Sequence, residues 1–158
     1  MLEVVYMQYT TFSEIYHLFL NYIQDYTIRN LFRTNLEVAD DMMRTFLVMA
    51  VTKFYNCVKD IKSLDIENSK FVCNLDIEEK NILAEWMVVN WMERTVNDIT
   101  QMNLLLNDND FKHYSEESNL KQKSERLDRM REKVSQDMVV YGLYHTPFNK
   151  WADGDYDV

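Results

Sequence analysis

Gly142, Gly154 and Pro147 are the only glycines and proline in 158 residues. Tight hairpins need glycine or asparagine at positive φ, and β-sandwiches need such turns at short intervals. Their scarcity excludes a turn-rich β architecture and a glycine-rich phosphate loop, and it leaves helices joined by short polar connections. Cysteine is nearly as rare: Cys57 and Cys73 show no CxxC or other metal-ligand spacing, so they read as reduced, buried thiols. His17, His113 and His145 lie far apart and no HExxH occurs, which removes the usual zinc patterns. The longest apolar run, ILAEWMVVNWM at 82–92, contains Glu85 and Asn90 and falls short of the ~20 residues that span a bilayer. The opening MLEVVYMQYT has no cationic region ahead of an apolar run, so no secretory signal is expected. Basic residues are outnumbered, 17 against 26 acidic, for a net charge of −9. Gripping nucleic acid over the whole surface needs clustered Lys and Arg, so that function is excluded, although a local basic patch is compatible with the count.

What is present is apolar and helical. A chain of this length can bury ~70% of the surface its unfolded form exposes, enough for one domain without disulfides. Three segments open on a small polar residue followed three positions later by Glu: Thr11 with Glu14, Thr34 with Glu37, and Asp76 with Glu79. In that pattern the two residues cap each other's backbone amides at a helix start. After Thr11, Phe12, Ile15, Tyr16, Phe19, Leu20 and Ile23 form one stripe at helical spacing. After Thr34, Ala39, Met42, Met43, Phe46, Leu47, Ala50, Phe54 and Val58 extend a broad stripe, which predicts a helix near the centre of the fold. Residues 59–75 lose the periodicity and read as a connection with one helical turn. From Ile77 to Leu106 a helix is apolar nearly all round in its first half, and Thr95 to Asn97 mark a candidate bend. Met and aromatic residues at this spacing read as core in preference to a ligand pocket.

The last helix, expected from Ser115 to Tyr141, differs from the others. Leu120, Leu127, Met130, Val134, Met138 and Tyr141 form a narrow seam, and six acidic and six basic residues interleave over the rest. Lys123 and Asp137 break the heptad, so a coiled coil is not supported. Gly142 fits the left-handed position just past a helix end. Residues 1–142 are therefore expected to form a helical bundle domain, all-α, and residues 143–158 an extended C-terminal tail. That tail holds Tyr144, Phe148, Trp151 and Tyr156, and it either folds back on its own core or docks on another subunit.

Catalytic and metal chemistry find little support. Read as a calcium loop from Asp108, the stretch NDNDFKHYSEESNLKQK puts Lys112 at position five, His113 at six and Asn119 at twelve, where the template needs a ligand, Gly and Glu. It reads better as a polar connection anchored by Phe111 and Tyr114, with Ser115 as the cap. Adjacent carboxylates such as Asp40–Asp41 and Glu78–Glu79 point ~100° apart on a helix and do not converge on a substrate. No G-x-S-x-G elbow is present. No enzymatic activity, cofactor or metal is expected.

Three stretches, YTTFSEIYHLFLNYIQDY, NLDIEEKNILAEWMVVNWM, and DFKHYSEESNLKQK leading into a charged helix, give the chain its resemblance to the head–tail connector, or neck adaptor, proteins of tailed bacteriophages. The resemblance is one of pattern and order over most of the chain. It implies a structural virion protein of the neck, made in the host cytoplasm and forming a homo-oligomeric ring, commonly twelvefold. Such a ring sits between the portal and the tail or lower neck protein; DNA passes through it without specific binding, and no membrane is involved. Partner contacts are then expected on the final helix and tail, at Leu127, Val134, Tyr141, Tyr144, Phe148, Trp151 and Tyr156. The alternative is a small acidic phage protein that inhibits a host nucleic-acid enzyme or mimics DNA. The balanced charge of the last helix favours the adaptor, since equal positive charge undermines an imitation of phosphate.

Overall fold

The computed structural model describes residues 9–105 and 113–146, with side chains at 27, 102–105 and 113–118 left aside. The fold is all-α. Helices α1 (Phe12–Tyr22), α2 (Tyr26–Thr34) and α3 (Leu36–Lys53) are followed by a minimal hairpin of β1 (Leu64–Asp65) and β2 (Lys70–Phe71). Two long helices, α4 (Ile77–Leu105) and α5 (His113–His145), complete it. Helix α4 is the axis, packing against α1, α3 and α5, while α2 leans on α3. Its residues Ile82, Leu83, Ala84, Met87, Val88, Val89 and Met92 are all buried, as expected for a segment apolar on every side. The centre predicted for α3 thus belongs to α4. Helix α3 buries one face, Ala39, Met43, Phe46, Leu47, Ala50 and Val51, and exposes Val38, Val48 and Met49 on the other.

Two of the three caps form where the spacing puts them. Glu14 Oε1 accepts from the Thr11 amide at 3.0 Å, and at α4 the box is reciprocal: the Asp76 amide donates to Glu79 Oε2 and the Glu79 amide to Asp76 Oδ1, both at 2.9 Å. At α3 the cap is Asn35, whose Oδ1 accepts from the Val38 amide at 3.2 Å. Thr34 ends α2 instead, with its hydroxyl turned back to the Asn30 carbonyl at 3.0 Å. The separate helix α2 has no counterpart in the sequence reading.

The stretch expected to hold a helical turn is the hairpin. Leu64 pairs with Phe71 and Asp65 with Lys70, Ser69 takes φ 51°, and the Asp65 carboxylate accepts from the Asn68 amide and side chain. The chain ahead of α1 lies against β2: Phe71 donates its amide to the Thr10 carbonyl and Phe12 to the Ser69 carbonyl, both at 2.8 Å. Phe71 and Phe12 then meet edge to face at 5.4 Å. These contacts hold the start of α1 over the connection into α4, where the buried Thr10 hydroxyl accepts from the Leu75 amide at 2.8 Å.

Helix α4 runs through Thr95 to Asn97 without interruption. Helix α5 begins at His113 and not at Ser115, so Ser115 lies within the first turn and is not the cap. It also continues past Tyr141 to His145, which places Gly142 inside the helix. Gly142 is explained by close approach: a Cβ there would stand 3.0 Å from Asn56 Nδ2. The anchor expected at Phe111, the opening residues 1–8 and the tail from 147 onward lie outside the described residues.

Candidate interaction surface at the end of the last helix

The seam on α5 is used within the chain. Leu127, Val134, Met138 and Tyr141 are between 0% and 5% exposed, packed with α4 into the common core. Three of the residues expected to contact partners, Leu127, Val134 and Tyr141, are therefore buried in their own subunit. Tyr144 is 78% exposed, and Phe148, Trp151 and Tyr156 fall outside the described residues.

A buried carboxylate fixes the end of α5. Glu79, 0% exposed, accepts from the Tyr141 hydroxyl at 2.8 Å, from Lys59 Nζ at 2.6 Å and from the Asp76 amide at 2.9 Å. A charge removed from water is tolerable only when compensated in this way. The Tyr141 oxygen also accepts from the Val58 amide at 3.2 Å, and Asn56 Nδ2 donates to the Met138 carbonyl at 2.7 Å. One segment, residues 54–59, is thus stitched to one stretch of α5, residues 138–142. Burial, with Glu79 alongside, raises the Tyr141 phenol far above its ordinary pKa. Burial also raises both thiols, Cys57 and Cys73, which keeps them protonated and poorly nucleophilic.

Around this anchor the sequence MVVYGLY, residues 138–144, is apolar on every flank. Only Met138 and Tyr141 face the core. Val139 and Leu143, one turn apart, are 60% and 54% exposed on one flank; Val140 and Tyr144, also a turn apart, are exposed on another. Tyr55 and Val58, 79% and 58% exposed, add to the surface from the connection after α3. Tyr144 is among the expected partner contacts and Val58 belongs to the stripe predicted for α3, whereas Val139, Val140, Leu143 and Tyr55 are not singled out, because the sequence reading follows the seam. The signal that could have found them is the unbroken apolar run itself, which one buried edge cannot use up.

Between the end of α3 and α5 lies an open groove of about 520 Å³, with Tyr55, Trp86, Met138 and Val139 as apolar lining and Lys53, Glu93, Arg131 and Ser135 as polar lining. Glu93 bridges the two cations: Arg131 donates to Oε1 at 2.8 Å and Lys53 to both oxygens at 3.2 Å. Burial opposes the Glu93 charge, but these donors outweigh it and hold the carboxyl below its usual pKa. Lys53 also sits 5.2 Å from the Trp86 ring centre. A second cleft is lined by Tyr22, Ile77, Glu85, Lys133, Asp137 and Val140. There Glu85, 4% exposed, accepts from Tyr22 at 3.0 Å and Lys133 at 2.5 Å, tying α1, α4 and α5 together. Glu85, Asp137 and Glu93 in these two clefts are each held by a lysine, arginine or tyrosine. Such bonding suits bracing between helices better than proton transfer.

Among the described residues no group of three or more His, Cys, Asp and Glu side chains could hold a metal ion, and no helix is long and apolar enough to cross a membrane. Comparison with family models, with curated proteins and with solved structures finds no match to this chain.

Proposed function

We propose that this chain is a non-catalytic structural subunit that acts by binding other proteins, and that its setting is the one the sequence resemblance implies: the neck of a tailed phage, as a head–tail connector. The observation that carries the reading is the apolar end of α5, where Val139, Val140, Leu143 and Tyr144 remain exposed on both flanks of a helix whose other described apolar residues are buried or half-buried. Contiguous exposed apolar surface of this kind marks a protein-binding face. The anchor beneath it is rigid, since Tyr141 is bonded to Glu79 and Val58 and Asn56 to Met138, so little order is lost when a partner docks. The face joins identical copies into a ring and presents the chain to portal and tail components, with DNA passing through without specific contact.

The acidic-mimic alternative is less well supported. A phosphate imitation needs free carboxylates in a row, but on α5 the acidic residues interleave with as many basic ones, and Asp137 is ion-paired with Lys133 at 2.7 Å. The test is negative-stain imaging with mass measurement of the purified protein, alone and mixed with portal and neck components of the same virion. Rings or particle-bound density are expected. A persistent monomer that instead binds a host nucleic-acid enzyme would refute the connector and favour the mimic.

A further inference from the structure

We infer that the groove between the end of α3 and α5 receives residues 147–158 of a second copy of this chain, so that subunits join head to tail. The inference rests on the connector reading for its biological sense, but its geometry is independent of that reading. The groove pairs an aromatic lining, Tyr55 and Trp86, with two cations, Lys53 and Arg131, that share the single lining carboxylate Glu93. Asp128 approaches Arg131 only from outside, at 3.4 Å, and is 69% exposed, which makes it a weak competitor. The groove is therefore a locally cationic, aromatic spot on a chain of net charge −9.

Residues 147–158, PFNKWADGDYDV, carry the complement: Phe148, Trp151 and Tyr156 as anchors, and Asp153, Asp155 and Asp157 against the single cation Lys150. A groove of about 520 Å³ is of the size that holds a ligand of a few side chains, roughly 300–1,000 Å³. Interfaces of this type take most of their energy from a few buried aromatic anchors.

The direction of α5 assigns the occupant to another copy. The groove runs along α5 between Arg131 and Val139, whereas Thr146 lies roughly 10 Å beyond Val139 at 1.5 Å per residue. Pro147 biases Thr146 towards an extended backbone, so the helix does not continue through it. Reaching its own Arg131 would require a full reversal and a return of roughly 20 Å along the helix. A neighbour's groove requires neither. Because donor and acceptor are different patches, the contact is heterologous and propagates until a ring closes.

The test uses the full chain and two substitutions, Tyr55→Glu at an exposed groove residue and Trp151→Ala in the segment, followed by sedimentation against concentration. Circular dichroism and thermal melting check that each variant keeps the wild-type fold, and Tyr55→Phe, which retains the ring, is expected to assemble like wild type. Wild type should self-associate, and each disruptive variant should do so at least about tenfold more weakly. An equimolar mixture of the two has one intact groove and one intact segment, so it should form a 1:1 pair and stop there. Rings that neither substitution disturbs would overturn this inference and leave the connector reading standing. A monomeric wild type with a cross-link between cysteines introduced at 55 and 151 within one chain would place the segment in its own groove and also overturn it. Absence of assembly by wild type, alone and with virion neck components, would overturn both.

Discussion

Replacing Tyr141 by Phe removes one oxygen and leaves the ring, so it tests the buried anchor without opening a large cavity. The ring packs edge to face on Phe54 at 5.1 Å and is 0% exposed, and both features survive the change. What disappears is the donor to Glu79 at 2.8 Å and the acceptor for the Val58 amide at 3.2 Å. A hydrogen bond to a buried charge contributes about 1.5–3 kcal/mol. The Val58 amide belongs to an exposed residue and can turn to water, so it adds about 1 kcal/mol at most. Glu79 Oε1 keeps only the Cys57 thiol at 3.8 Å, too long and too weak to replace a phenol. The expected loss is therefore about 3 kcal/mol. In urea unfolding, with an m-value of about 2 kcal/mol/M, the midpoint should fall by about 1.5 M at unchanged m. Tyr144→Phe, at a residue 78% exposed, is the matched control and should leave the midpoint where it is. A Tyr141→Phe shift below about 0.3 M would refute the reasoning, because it would mean that solvent already satisfies the Glu79 oxygen.

Asp76→Ala removes the side-chain half of the α4 capping box and should cost about 1 kcal/mol in the same assay, a loss that Asp76→Asn or Asp76→Ser largely avoids. Gly142→Ala gains helix propensity worth about 1 kcal/mol but crowds Asn56 at 3.0 Å. The gain should thus appear in full only in an Asn56→Ala background, and a double-mutant cycle showing no coupling would remove Asn56 as the reason for the glycine. On the acid side, the Lys80 side chain and the Thr11 amide lower the pKa of Glu14, and Arg131 with Lys53 lowers that of Glu93. Such carboxyls are ionised in the native state at pH values where the unfolded chain has begun to bind protons. Their contribution is complete above the ordinary value of 4.5 and drains away as pH falls through the lowered native one. Urea midpoints at pH 7, 5, 4 and 3 should therefore decline most steeply below pH 4.5, and Glu93→Gln should flatten part of that decline. Glu85, raised by burial, works in the opposite direction and in a different window: it adds stability as pH falls through its raised native value towards 4.5, so Glu85→Gln should remove that gain above pH 4.5.

Periodicity made the long helices legible. Helix α4 was readable at its start, Ile77, because its cap is local, Asp76 with Glu79, and over its first half because its apolar residues surround it. The hairpin was not readable, since two-residue strands carry no alternation and Phe71 is held by contacts with Thr10 and Phe12 some sixty residues earlier. The cap at α3 was misassigned by one residue for a similar reason. Thr34 and Asn35 both offer a side-chain oxygen, and the choice depends on where α2, invisible as a separate helix, stops.

Of the candidate surface, Tyr144 and the apolar seam of α5 were legible in the sequence, but not what the seam packs against. The resemblance put partner contacts on the narrow apolar seam of α5, at Leu127, Val134 and Tyr141, but that seam has a place inside its own subunit. Helix α4 supplies that place, because a helix apolar on every side must be surrounded, and α1, α3 and α5 are the elements that surround it. Once Leu127, Val134 and Tyr141 are spent on α4, the residues left for another protein are those that the core cannot reach. On α5 these are Val139, Val140, Leu143 and Tyr144, which occupy successive directions around the helix, so a single neighbour within the fold cannot bury them all. Any partner surface must therefore cover at least two flanks of α5. Val139→Glu and Val140→Glu, on different flanks, should each weaken assembly while leaving the urea midpoint within about 0.5 kcal/mol of wild type. Assembly lost on one flank alone would restrict the interface to that side and remove the need for a surrounding partner.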